Sequence, residues 1–245
     1  MSRQVALLFY ISQALVIGLH PTAAIGAEGD TSSFRLGGSA TVTSDYIFRG
    51  VSQTLGRPAL QASVDFDHDS GFYAYVWGTN VDFYPDVETD DGARTEIDFA
   101  AGYVAEIGDR WSIDTMFVRY VFPGTRSDFN YDYNEVLSTL RFDDRFGVTV
   151  AYAGDVDGTA TASWFYKADA GFELPATVAL DVSYGYFDLA PAYGTGYTFV
   201  SAALTREFGE AAATLAFYSA FNGSEQIFFE QAEGSRLVFS IDLIF

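Results

Sequence analysis

From Leu36 onward, apolar and polar residues alternate one by one, in segment after segment of similar length. Leu36, Ala40, Val42, Tyr46 and Phe48 share one parity, and Gly37, Ser39, Thr41, Thr43 and Asp45 share the other. Further on, Leu60, Ala62, Val64 and Phe66 alternate with Gln61, Ser63, Asp65 and Asp67, and Ile97, Phe99 and Ala101 alternate with Glu96 and Asp98. The chain ends in the same rhythm, with Leu237, Phe239, Ile241, Leu243 and Phe245 set against Ser240 and Asp242. Successive side chains of a strand point to opposite faces, so each segment is a ribbon with one greasy and one wet side.

About twelve such ribbons are expected, over 36–48, 58–68, 71–83, 94–105, 110–122, 131–142, 146–154, 161–173, 177–187, 197–207, 211–220 and 235–245. Most match the ~9–11 residues of a tilted strand crossing a bilayer. The connections alternate in length. Asp69-Ser70, Gly108-Asp109, Asp143-Asp144-Arg145, Leu174-Pro175-Ala176 and Phe208-Gly209-Glu210 are short, whereas 49–57, 84–93, 123–130, 155–160, 188–196 and 221–234 are longer. An even strand count with short turns at one end and longer loops at the other is the pattern of a closed bacterial outer-membrane barrel. Such a barrel pairs every backbone group within the protein, as a lipid environment demands. The competing architecture is a secreted β-sandwich or a soluble barrel, and sandwich strands run only ~5–6 residues. Aromatics near the ribbon ends, among them Tyr46, Phe48, Phe66, Trp111, Phe122, Tyr152, Phe172, Tyr186 and Phe245, suit interfacial girdles. The expected fold class is therefore all-β: a single antiparallel transmembrane β-barrel with short periplasmic turns and longer extracellular loops.

Composition narrows the chemistry. Thirteen Lys+Arg against 33 Asp+Glu give a formal net charge of −20, which argues against nucleic acid as a partner. The absence of cysteine excludes a disulfide scaffold and a Cys-ligated metal. Mean hydropathy is only +0.10 although 49% of residues are hydrophobic, because the two kinds are interleaved. Residues 1–27 differ from the rest: Arg3, then a mostly apolar run from Val5 to Leu19, then small residues around Ala23, Ala24, Gly26 and Ala27. That order is a secretory signal peptide, with cleavage expected within Ala24–Ala27, and the run is too short for a spanning helix. The expected division is a signal at 1–27 and a barrel at 28–245.

The run Ser44-Asp45-Tyr46-Ile47-Phe48-Arg49-Gly50-Val51-Ser52-Gln53 resembles the opening signature of the TorF porin family. Pro58 to Phe66 and Gly71 to Phe83 continue that resemblance over about forty residues. Asp45, Tyr46, Phe48, Arg49, Gly50, Ser52 and Gln53 are the positions that carry it. The resemblance implies a small outer-membrane barrel without catalytic residues. Separately, the terminal Phe245 after Leu243 and Ile241 looks like the signal by which barrel assembly machinery recognises its clients.

If the greasy faces meet lipid, parity assigns the lumen. Asp45, Asp65, Asp67, Glu96, Asp98, Asp114, Glu135, Asp169, Asp181 and Asp242 are the expected inward acids, and Arg141, Lys167 and Arg236 the inward bases. An acidic lining favours cations. Asp114, Lys167, Asp169 and Asp181 sit well inside their ribbons; each is either a constriction charge or a structural ion pair of the interior. Arg49 either folds back onto lumen acids or anchors its loop. Arg119 has outward parity and either snorkels there or is turned inward by a bulge. Tyr73, Tyr75 and Trp77 share one face of the third ribbon and either narrow the lumen or fill it.

Other chemistry fares poorly. Asp86, Glu88, Asp90 and Asp91 crowd one loop but miss the calcium-loop spacing, so a solvated loop is expected and no metal or cofactor. His20 and His68 are the only histidines, and His68 adjoins a short turn, far from an extracellular surface site, so no Ser–His catalysis is expected. The expected function is a passive channel for small polar or cationic solutes in the outer membrane, in contact with lipid and lipopolysaccharide. The alternative is a closed structural or adhesive barrel whose outer loops bind a partner.

Overall fold

The computed structural model describes residues 33–84, 90–156 and 158–245; the signal-like segment 1–27 lies outside the described residues. The strands are β1 (Phe34–Thr43), β2 (Ile47–Phe48), β3 (Val51–Ser52), β4 (Ala59–His68), β5 (Phe72–Asn80), β6 (Thr95–Ile107) and β7 (Trp111–Val121). They continue as β8 (Tyr133–Phe142), β9 (Phe146–Ala153), β10 (Ser163–Leu174), β11 (Val178–Asp188), β12 (Tyr197–Phe208), β13 (Ala211–Phe221) and β14 (Ser235–Ile244). Two one-turn helices, α1 (Ala190–Tyr193) and α2 (Ser224–Ile227), lie in long loops.

All strands but β2 and β3 form a closed barrel of twelve antiparallel strands, each paired with its neighbours in chain order. The seam is β1, which pairs β14 with Thr41 opposite Asp242, and β4 with Thr41 opposite Gln61. Gly38 and Phe245 exchange two backbone hydrogen bonds of 2.8 and 3.0 Å, extending the seam to the last residue. Closure leaves no unpaired sheet edge.

Short turns hold one end of the barrel together. Asp143 and Asp144 both take φ 53°, a left-handed conformation that aspartate tolerates. Gly71 (φ 95°) is fixed by packing as well as by conformation, since a Cβ there would stand 2.3 Å from the Val104 carbonyl oxygen.

The outer surface is apolar. Leu60, Val64 and Leu237 are each 65% exposed or more, and Phe99, Phe117, Val148, Leu215 and Phe239 are also exposed. Near the short-turn end, exterior phenylalanines pair as Phe34–Phe66 and Phe146–Phe172, with Trp111 against Phe142. Near the long-loop end Trp164 lies between Tyr152 and Tyr166. Arg119 keeps its outward parity in an unbroken β7–β8 register and pairs with Asp132 at 3.0 Å.

The ribbon boundaries differ from the sequence reading chiefly at the first, which ends at Thr43 instead of Phe48. Residues 44–58 leave the wall and turn into the barrel as the hairpin β2–β3. Tyr46 is therefore buried in the interior, and Phe48 packs against that buried core, so neither is in an exterior girdle. Phe122 is likewise interior, edge-on to Phe83 and Tyr131. Alternation continues unchanged into the hairpin, so parity could not mark where the chain departs from the wall.

Candidate functional site

Period-two geometry brings the charged side chains of seven strands to one enclosed space. Asp65, Asp67, Glu96, Asp98, Asp114, Glu135, Asp169, Asp181 and Asp242 all sit on the interior face, opposite in parity to the exposed apolar residues of their strands. Arg141, Lys167 and Arg236 share that face. Asp45 is the exception: it belongs to no barrel strand and sits at the root of the hairpin. There its carboxylate accepts from Ser52 Oγ at 2.6 Å and lies 2.8 Å from Thr54 Oγ1, while the Tyr46 amide donates to Thr54 at 3.1 Å. Ser52 and Thr54 thus tie the two arms of the hairpin together, and nothing in their spacing singled out Thr54 beforehand.

The hairpin crosses the interior and is gripped on several walls. Ile47 packs with Ala203, Ala216, Tyr218 and Val238 of β12, β13 and β14. Tyr46 meets Trp77 of β5 with ring centres 5.5 Å apart, and Phe48 meets Tyr120 of β7. At the tip, Arg49 donates to Glu135 of β8 at 2.6 Å, and both side chains are almost wholly buried. Its guanidinium carbon stands 4.7, 4.0 and 4.4 Å from the ring centres of Phe48, Phe165 and Phe187. Cation–π attraction of this kind is strongest where water is excluded. Arg49 therefore does both things its position allowed: it pairs with an interior acid and anchors its loop. Gly50 (φ 85°) follows because a Cβ there would fall 2.5 Å from Phe199 Cβ. Every residue that carried the resemblance, Asp45 to Gln53, lies on this inserted segment.

The interior is divided as a result. Toward the long loops, the hairpin and the side chains of Tyr75, Val118, Tyr120, Tyr133, Phe165, Phe187 and Tyr197 form one buried hydrophobic cluster. Tyr73, Tyr75 and Trp77 all face inward, and Tyr73 donates to Asp114 at 2.8 Å. Toward the short turns the space is polar. Asp169 pairs with Arg141 at 3.1 Å and with Lys167 at 3.2 Å. Asp65 Oδ1, Asp242 Oδ2 and the Tyr218 hydroxyl are buried without a hydrogen-bond partner in the protein. A cavity of about 120 Å³ opens here beneath the hairpin, bounded by β8 to β13. Tyr218 and Phe199, which shape it, carried no charge or motif to draw notice in the sequence.

Elsewhere the candidate residues stay apart from this space. Asp90 pairs with Arg94 at 2.7 Å, and Asp91 is buried and accepts from the Ala93 amide. Asp86 and Glu88 lie outside the described residues. Among the described residues no group of His, Asp and Glu is arranged to hold a metal ion. His68 Nδ1 lies 2.8 Å from Ser70 Oγ within its own turn, and the adjacent Asp69 is engaged by Arg35 at 3.1 Å.

A family model described as a bacterial protein of unknown function (Gcw_chp) matches residues 27–242. The chain belongs to the Gcw_chp family. No curated protein matches it. Among solved structures, the NanC porin in a rhombohedral crystal form is similar at 8% identity and a TM-score of 0.55, over 85% of this chain and 98% of that one. The KdgM porin is similar at 8% identity and a TM-score of 0.53, over 84% and 98%. A KdgM porin in complex with disordered oligogalacturonate gives 8% and 0.52, over 85% and 97%. At such identities the likeness shows that this Gcw_chp protein has the closed barrel fold of those porins. Neither the family match nor the likeness bears on the TorF porin family specifically.

Proposed function

We propose that this Gcw_chp protein is a passive outer-membrane channel for small polar solutes, cation-preferring and narrowed by its inserted hairpin. The carrying observation is the contrast between the two faces of one sheet: an apolar exterior and an interior where the nine strand carboxylates named above outnumber the strand cations Arg35, Arg141, Lys167 and Arg236. An exposed apolar band of this extent is stable only in lipid. Buried carboxylate oxygens without protein partners call for water or solute within the lumen. In this reading residues 1–27 are an export signal, the short turns face the periplasm, and Phe245 addresses the chain to the assembly machinery. Lipopolysaccharide contacts the exterior on the long-loop side.

The ten interior carboxylates named, counting Asp45, exceed the five cations Arg35, Arg49, Arg141, Lys167 and Arg236. That excess raises local cation concentration and disfavours anions. A polyanion such as the oligogalacturonate bound to a KdgM porin is the wrong charge for this lining. The test is the reversal potential of the refolded protein in a planar bilayer under a KCl gradient. A cation-selective potential, weakened by Asp65→Asn with Asp114→Asn, supports the lining; an anion-selective one refutes it.

A second reading has its own support. The hairpin and the aromatic cluster fill the long-loop half of the interior, as a closed structural or adhesive barrel would require. Folded protein that carries no current would favour it and turn attention to the outer loops.

A further inference from the structure

Beneath the hairpin the lumen is not simply acidic. The cavity of about 120 Å³ between β8 and β13 carries both signs of charge. Arg141 and Lys167 reach it from β8 and β10, and Asp169 and Asp181 from β10 and β11. Its roof is the hairpin, where Ile47 and Gly50 lie beside the buried Arg49, with Phe165 and Phe199 alongside. Its wall carries the hydroxyls of Ser183, Ser201 and Tyr218, and its mouth lies at Asp144 and Arg145, in the short turn after β8.

Register orders these groups. Asp169 is opposite Ser183, Ser183 opposite Ser201, and Ser201 opposite Tyr218, so one row of polar side chains crosses four strands. Ser183 and Ser201 share a hydrogen bond of 2.7 Å. Lys167 lies two residues from Asp169 toward the long loops, and Asp181 lies two residues from Ser183 toward the short turns. Each step is roughly 7 Å along a strand, so Lys167 and Asp181 are axially separated, with Arg141 and Asp169 in the row between them, in register through Gly147. Gly147 and Gly171 make room for the two acids. A Cβ at 147 would stand 2.7 Å from Asp169 Oδ2, and one at 171 would stand 3.1 Å from Asp181 Oδ1. The Tyr218 hydroxyl, with the residue only 6% exposed, has no hydrogen-bond partner in the protein.

We propose that this cavity is a solute-binding subsite for small zwitterions carrying one carboxylate and one ammonium group. A lone anion entering here meets Asp169 and Asp181, and a lone cation meets Arg141 and Lys167. A molecule bearing both charges turns its carboxylate to Arg141 and Lys167 and its ammonium to Asp181, one row nearer the short turns. Tyr218 supplies a further hydrogen bond, and the short aliphatic body lies against Ile47 and Phe199. An apolar cavity of about 150 Å³ holds a benzene-sized body, so a space of this order admits only a few heavy atoms. The subsite deepens the channel reading, on which its place in a solute path rests, but its occupancy can be measured without any current.

The test is calorimetric titration of the folded protein in detergent with four small hydroxylated solutes that differ in charge: L-serine, glycerate, ethanolamine and glycerol. Serine is expected to bind at least about tenfold more tightly than the other three, since a charged hydrogen bond is worth about that or more. Asp181→Asn is expected to bring serine down to the level of glycerate, and Lys167→Met to the level of ethanolamine. Tyr218→Phe should weaken serine a few-fold. Serine binding no tighter than glycerol, or unchanged by Asp181→Asn, overturns the subsite. If a variant fails to fold, as judged by heat-modifiable gel migration, the four-solute series on the wild type decides alone. A barrel that conducts KCl without preferring serine loses the subsite and keeps the channel. One that binds serine but never conducts keeps the subsite and loses the channel.

Discussion

Arg49 Nη2 lies 2.6 Å from Glu135 Oε2, and this buried pair joins the tip of the inserted hairpin to a barrel strand 86 residues further along the chain. Removing one partner of such a pair leaves an uncompensated buried charge, which costs ~3–5 kcal/mol. Arg49→Met is therefore expected to lower the unfolding free energy of the barrel by that order, read as a lower urea midpoint. Replacing both partners, as Arg49→Met with Glu135→Leu, should recover a substantial part, because no buried charge is then left alone. Equal losses in the single and double variants would show that the pair does not hold the hairpin.

The hairpin also depends on Gly50. Any side chain at this position collides with Phe199 on β12. Gly50→Ala should cost about 1–3 kcal/mol through overpacking and expel the tip. Trypsin reads this directly: Arg49 is shielded in the wild type and should become a cleavage site in the variant.

A lipid-facing exterior predicts a sharp difference between adjacent parities. Val148 is exposed on the outside, while Ser63 faces inward and contacts Asp65. Val148→Arg should destabilise the barrel in phospholipid vesicles by about 2–4 kcal/mol if it lies near the bilayer midplane. Ser63→Asn should cost far less. Equilibrium urea unfolding in vesicles measures both, and a harmless Val148→Arg would contradict the membrane-spanning exterior.

At the short-turn end, Arg110 donates to both carboxylate oxygens of Asp143, at 2.6 and 2.5 Å. Those hydrogen bonds hold the Asp143 carboxyl below its ordinary value of 3.8. A depressed carboxylate stabilises the fold in full above the unfolded value and loses that contribution as pH falls through the folded one. The pair is exposed, so salt should screen most of it. Carboxyl NMR of the turn should show Asp143 titrating below the ordinary aspartate range, and Arg110→Ala should return it to that range.

Much of the barrel could be read from single residues. Ribbons such as 211–220 and 235–245 reappear as β13 and β14 almost to the residue, because period-two alternation and short Gly/Asp turns are local properties of the chain. The same parity places Asp65, Asp114 and Asp181 on the interior face. The hairpin escaped this logic. Tyr46 and Phe48 keep the alternation of β1, and an aromatic packed against a plug has the same periodicity as one facing lipid. Cavity-forming residues such as Phe199 and Tyr218 are defined by distant strands, through contacts such as that between Ile47 and Ala216, and no local pattern encodes those.

The most direct measurement is single-channel recording of the refolded wild-type protein in a planar bilayer with symmetrical KCl. A hydrated lumen narrowed by a latched hairpin should give small, discrete openings, and Arg49→Met should enlarge them. A silent membrane, with folding verified by heat-modifiable migration and no current gained in Arg49→Met, would contradict the channel and leave a closed barrel that acts through its loops.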